Sequence, residues 1–92
     1  MPIAAARHIL VDSEAKCQDL KEQIAKGADF AQVAKEHSTC ASGKQGGALG
    51  KFKPGQMVRE FDEVVFKGQL GVVHGPVKTQ FGYHLIEITL RS

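Results

Sequence analysis

Two histidines, a cysteine and a threonine are the side chains of this 92-residue chain best placed to do chemistry. His8 lies in a run, 4–11, that alternates like an extended strand, with Ala4, Ala6, His8 and Leu10 on one face. His84 lies in a second such run, 83–90, sharing its face with Ile86, Ile88 and Leu90. One histidine on an apolar face is usually a hydrogen-bonded core residue. Two of them on neighbouring strands would meet, and a positive charge on either ring is costly in so dry a place. Both are therefore expected neutral, each able to donate through one nitrogen and accept through the other. Thr79, at the end of a short extended piece just before the last strand, could lengthen that chain through its hydroxyl.

Cys40 stands where a helix gives way to a glycine-rich loop, a position from which its side chain could face a cleft. Cysteine with histidine permits a thiol hydrolase, but no local signature of an oxyanion hole or an orienting partner accompanies it. A small buried thiol is the plainer alternative. Zinc would need four ligands, and Cys17, Cys40, His8 and His84 contain no close-spaced pair, so no metal is expected. The second candidate feature is apolar. Met57 and Phe61 are four apart on an expected helix, with Leu49 and Phe81 available from neighbouring loops. Such a stripe usually belongs to the core, but the flanking loops could leave it as a concave patch. The glycines between Gly43 and Gly50 lack the spacing and Lys-Ser/Thr ending of a phosphate loop.

The elements that must position these residues follow from periodicity. After the first strand, Asp12 and Ser13 offer a helix start, Cys17, Leu20 and Ile24 recur on one face, and Gly27 ends the helix. Asp29 with Gln32 reads as a capping box for a shorter helix burying Phe30, Val33, Ala34 and His37. Residues 38–55 read as a long loop with a brief strand at 49–52. The Pro54-Gly55 turn then leads into a third helix carrying Met57, Phe61, Val64 and Val65 up to Gly68. A loop through Gly71 and Gly75-Pro76 precedes the last strand. Strands at both ends with helices between predict an α+β fold whose terminal strands pair inside the sheet.

The length allows one domain, 1–92, with one modest core. Twelve Lys and Arg against ten Asp and Glu give a net charge of +2 without a basic cluster, so nucleic acid is not an expected partner. No apolar run approaches the ~20 residues of a membrane span, and no charged segment with an apolar stretch opens the chain. Two distant cysteines suggest reduced thiols, and with them a cytoplasmic protein.

The order of motifs resembles the parvulin family of peptidyl-prolyl cis/trans isomerases across residues 4–91. The matching pieces are His-Ile-Leu-Val at 8–11, Gly-Ala-Asp-Phe at 27–30, Cys-Ala-Ser-Gly-Lys-Gln-Gly-Gly-Ala-Leu-Gly at 40–50, and Gly-Gln-Met-Val at 55–58. Glu-Phe-Asp at 60–62 and Gly-Pro-Val-Lys-Thr-Gln-Phe-Gly-Tyr-His at 75–84 complete the set. The resemblance implies a four-stranded antiparallel sheet surrounded by about four helices. It implies that His8, Cys40, Thr79 and His84 form the polar active-site cluster and that Leu49, Met57, Phe61 and Phe81 form a proline pocket. No cofactor is implied, and a monomer acting on proline-containing polypeptides is expected. Ala48 replaces an acidic residue common in the family. Asp12-Ser13-Glu14-Ala15 stands where phosphate-directed relatives carry basic residues, so an apolar residue before proline is expected rather than a phosphorylated one. An apolar cleft of this kind could also serve a non-enzymatic module that captures extended segments.

Overall fold

The computed structural model describes residues 3–92. The first strand, β1 (Ala4–Val11), pairs along its whole length with the last, β4 (Gly82–Arg91). These two form the centre of a four-stranded antiparallel sheet, with β2 (Ala48–Phe52) outside β1 and β3 (Val73–Thr79) outside β4. The chain's two ends are thereby stitched side by side, and Ser92 N–H donates to the Ile3 carbonyl at 2.9 Å.

Helices cover both faces. The first, α1 (Glu14–Ala25), starts where the Ser13 hydroxyl accepts from Lys16 N–H. The second, α2 (Phe30–His37), starts where the Asp29 carboxylate accepts from Gln32 N–H at 3.1 Å. Only half of the expected capping box forms, because the Gln32 amide reaches forward to Glu36 instead of back to Asp29. On this side Ile9, Val11 and Leu85 of the sheet pack against Cys17, Leu20, Phe30, Val33 and Ala34. His37 is only half-buried, at the edge of that core. Arg7 pairs with Glu87 directly across the β1–β4 ladder and lays its guanidinium 4.6 Å from the centre of the Phe30 ring.

The opposite face carries the third helix, α3 (Arg59–Lys67), whose Phe61 and Val65 pack on Ala4, Ala6 and Ile86 and against Phe52. Small alanines on β1 let the aromatic rings approach the sheet. Each large apolar side chain sealed in such a core contributes roughly 1.5–3 kcal/mol. Glu60 and Asp62 in the first turn complement the helix dipole, and Arg91 closes the other end by donating to the carbonyls of Val65 and Gly68.

Several elements differ from the sequence expectation. Met57 precedes α3, because the chain after the Pro54-Gly55 turn bends at 56–57 and the helix begins only after Val58, its extended N-cap. Residues 41–45 form a short 3₁₀ helix inside the expected loop. Gly75-Pro76 lies within β3, at an irregularity of pairing between His74 and Val77 on an edge strand, where proline's missing N–H costs no ladder bond. His84 is near the start of β4 rather than its middle, and Leu90 is 41% exposed. Among the described residues no helix is long and apolar enough to cross a membrane.

Candidate active site

In the β1–β4 ladder His8 faces Ile86 and His84 faces Leu10, so the histidines are diagonal neighbours on the side of the sheet covered by α3. Their Nδ1 atoms are 3.0 Å apart and their ring planes differ by 17°. Phe61 stands nearly perpendicular to both, 5.5 Å from His8 and 5.7 Å from His84 between ring centres. Thr79, last residue of β3, places Oγ1 2.7 Å from His84 Nε2 and accepts from Phe81 N–H at 3.1 Å. On the far side His8 Nε2 lies 3.1 Å from the Ser42 hydroxyl, which donates to Cys40 Sγ at 3.3 Å. The four expected polar residues are therefore joined in one line, with Ser42 as the link between His8 and Cys40.

Burial, with His84 beside it, pushes His8 down to about 4, and burial also holds His84 below its usual value. Both imidazoles are neutral near pH 7. Cys17, by contrast, is sealed in the α1 core, where burial pushes its thiol up to about 11. Among the described residues no group of three His, Cys, Asp or Glu side chains gathers as a metal site.

Above the histidines is a cavity of about 270 Å³, almost wholly apolar, lined by Leu49, Met57, Val58, Phe61 and Phe81 together with Leu10, Cys40 and the two histidines. All four expected pocket residues line it. Leu49 comes from β2, Met57 and Val58 from the bend and cap that lead into α3, Phe61 from its first turn, and Phe81 from the tight β3–β4 turn. Phe81 is 61% exposed and forms the rim, while Phe61 is buried and forms the wall.

Sequence reasoning missed Leu10, Val58 and Ser42. Leu10 was available from the alternation of β1, which puts it on the His8 face. Ser42 had a weaker signal, its spacing of two from Cys40, which becomes meaningful only once 3₁₀ geometry brings both hydroxyl and thiol to one side. Gly47 makes the approach possible. Its carbonyl accepts from His8 N–H at 3.0 Å, and a Cβ built on it would lie 2.3 Å from the His8 carbonyl oxygen.

A family model for the PPIC-type peptidyl-prolyl isomerase, or rotamase, domain matches residues 5–90. Foldase protein PrsA of Geobacillus kaustophilus is 46% identical over 89 residues, covering 96% of this chain and 32% of that protein. The PrsA of Exiguobacterium sibiricum is 48% identical over 89 residues, covering 95% and 29%. This chain thus spans about a third of the length of these curated relatives. Among solved structures, PrsA from Bacillus anthracis superposes with a TM-score of 0.96 at 36% identity, covering 99% of this chain and 42% of that one. NmPin, the parvulin of Nitrosopumilus maritimus, superposes at 0.87 with 36% identity and 98% coverage of both chains.

Proposed function

The chain belongs to the PPIC-type peptidyl-prolyl isomerase family, the parvulins, and we propose that the cavity beside Phe61 receives the proline ring of a flexible polypeptide and speeds rotation about the preceding peptide bond, so assisting folding. The observation that carries this reading is an almost wholly apolar recess set directly on two neutral, mutually hydrogen-bonded histidines.

An X-Pro bond isomerises in tens to hundreds of seconds because twisting the amide sacrifices resonance, a barrier of about 18–20 kcal/mol. The planar amide is more charge-separated than the twisted one. Moving it from water into the company of Leu49, Met57 and Phe61 therefore raises the ground state more than the transition state. Holding the ring while the preceding carbonyl swings adds orientation. Together a reduction of ~5–8 kcal/mol gives roughly four to six decades of rate. The histidines supply a stiff, uncharged floor, and Cys40 a weakly polar wall.

Covalent attack by Cys40 has poor support. Its sulfur accepts a hydrogen bond from the Ser42 hydroxyl, and all four imidazole nitrogens are engaged with one another, Thr79 and Ser42, so none is left to take a thiol proton. Cys40→Asp is expected to keep measurable isomerase activity, followed by a protease-coupled assay or by NMR exchange between cis and trans forms of a proline tetrapeptide. Complete loss in a folded variant would restore the nucleophile. No acceleration by the parent protein would leave only capture of extended segments.

Our reading of the substrate is an unphosphorylated segment with an apolar residue before proline, supported by the apolar rim and by Asp12 and Glu14 after β1. We further propose that the domain acts as a monomer in the cytoplasm. Both cysteines are free, as suits a reducing compartment, and the large exposed apolar side chains among the described residues are few: Leu70, Val72, Phe81 and Leu90. Sedimentation and cell fractionation test these two points.

A further inference from the structure

Two of the cavity's lining residues, Met57 and Val58, are delivered by a turn that is itself exposed. Residues 53–56 all face solvent, while Met57 and Val58 are half-buried. Within itself the turn is closed by Gln56, whose side-chain oxygen accepts from Lys53 N–H at 2.6 Å and whose own N–H donates to the Lys53 carbonyl at 3.3 Å. That closure folds the turn but does not aim it. The tie to α3 comes from Asp62, next to Phe61, whose Oδ2 accepts from Gly55 N–H. Gly55 has φ +91°, a conformation open to glycine. Asp62 N–H donates to the Val58 carbonyl at 3.0 Å, so the carboxylate that grips the turn is carried on backbone already fixed in the helix.

The second oxygen of Asp62, Oδ1, is sealed from solvent and has no hydrogen-bond partner among the described residues. A carboxylate oxygen in that state opposes folding, since it has lost water and gained no donor. An acidic residue in the first turn can serve the helix dipole while facing water, so the dipole alone does not account for this inward setting. The bond to Gly55 does. We propose that Asp62 is a positioning residue for the proline cavity: by holding the 53–56 turn against α3 it sets where Met57 and Val58 stand beside Leu49 and Phe61, and so how tightly a substrate segment is gripped. Asp62 is not among the lining residues, and its effect reaches the substrate through the two that follow the turn. The histidines are carried by β1 and β4, which this tie does not touch, so binding should respond to Asp62 and the rotation step should not.

The kinetic part of this inference rests on the proposed isomerase activity; the affinity part does not. The experiment measures tetrapeptide affinity by NMR titration and isomerase kinetics alongside, for the parent, Asp62→Ala, Asp62→Asn and Met57→Ala. Asp62→Ala should weaken binding and raise KM about tenfold, with kcat changed by no more than about twofold. Asp62→Asn keeps an oxygen able to accept from Gly55 N–H and should stay within about threefold of the parent. Added to Met57→Ala, which already lacks much of the same wall, Asp62→Ala should weaken binding by no more than about twofold further. Asp62→Ser, too short to reach Gly55, is expected to match the alanine variant and replaces it should that one unfold. Parent affinity in a folded Asp62→Ala, or a further loss of about tenfold on top of Met57→Ala, would overturn the inference. Parent protein that binds the tetrapeptide without speeding its rotation would instead defeat the functional reading, and the affinity series alone would then decide the role of Asp62.

Discussion

His8 and His84 show how a residue's surroundings, rather than its type, set its working state. Unfolded, each has the ordinary histidine pKa near 6.5; folded, burial and its neighbour hold His8 near 4. Between these values the unfolded chain binds a proton that the native chain refuses, so stability rises with pH across the window. The contribution is fully present above about pH 6.5 and is lost as pH falls through 4, on the order of 3 kcal/mol for His8. Urea unfolding at pH 7, 5.5 and 4.5 should show the decline. A His8 C2 proton titrating with a midpoint near 6.5 in the folded protein would contradict the neutral pair. Phe61 belongs to the same scale. It is wall of the cavity and part of the α3 core at once, so Phe61→Ala should raise KM strongly and also cost about 3–5 kcal/mol of stability. An unchanged KM would remove Phe61 from substrate contact.

Among the elements, the 3₁₀ helix and β2 hold the histidine pair from below, and Gly47 is the joint. Gly47 has φ +87°, and a methyl there would drive into the His8 backbone. Gly47→Ala should cost about 2–3 kcal/mol and depress activity by displacing β1 from the loop. Wild-type activity in a variant of unchanged urea midpoint would show the contact to be dispensable. The elements also show what a sequence can disclose. Strands β1 and β4 were legible because apolar residues recur along each at the period of two of an extended strand, although both faces are buried at their centres, and α1 and α2 because Ser13 and Asp29 mark their starts. Strand β3 was hidden by Gly75-Pro76, a pair that reads as a turn and is tolerated only because this strand lies at the edge. The 3₁₀ helix is too short to show a period, and with it Ser42 stayed out of view. Met57 mimicked helical spacing with Phe61, although only the second of them is helical.

At the scale of the whole molecule, every candidate residue named from the sequence converges, because the sheet brings the two ends of the chain to its centre and the middle of the chain to its margins. The histidines are 76 positions apart and in hydrogen-bonding contact. Pairing of the terminal strands had to be supposed from the sequence; it could not be read from any local pattern, since register is a tertiary property set by which faces are buried. The apolar character of Leu49, Met57, Phe61 and Phe81 was plain, yet whether they would fill a core or leave a hollow depended on the loops.

The bond from Ser92 to Ile3 also gives the molecule an unusual kind of portability. Entry and exit points lie about 5 Å apart, the spacing of adjacent strands. A host protein interrupted at a surface hairpin by residues 3–92, with a glycine or two at each seam, would therefore need to spread its own backbone hardly at all. Guest and host should melt within about 3 °C of their separate values and catalysis should persist, as calorimetry and the tetrapeptide assay would reveal. So close a pair of seams makes the fold a cassette that another chain can carry without being bent to fit it.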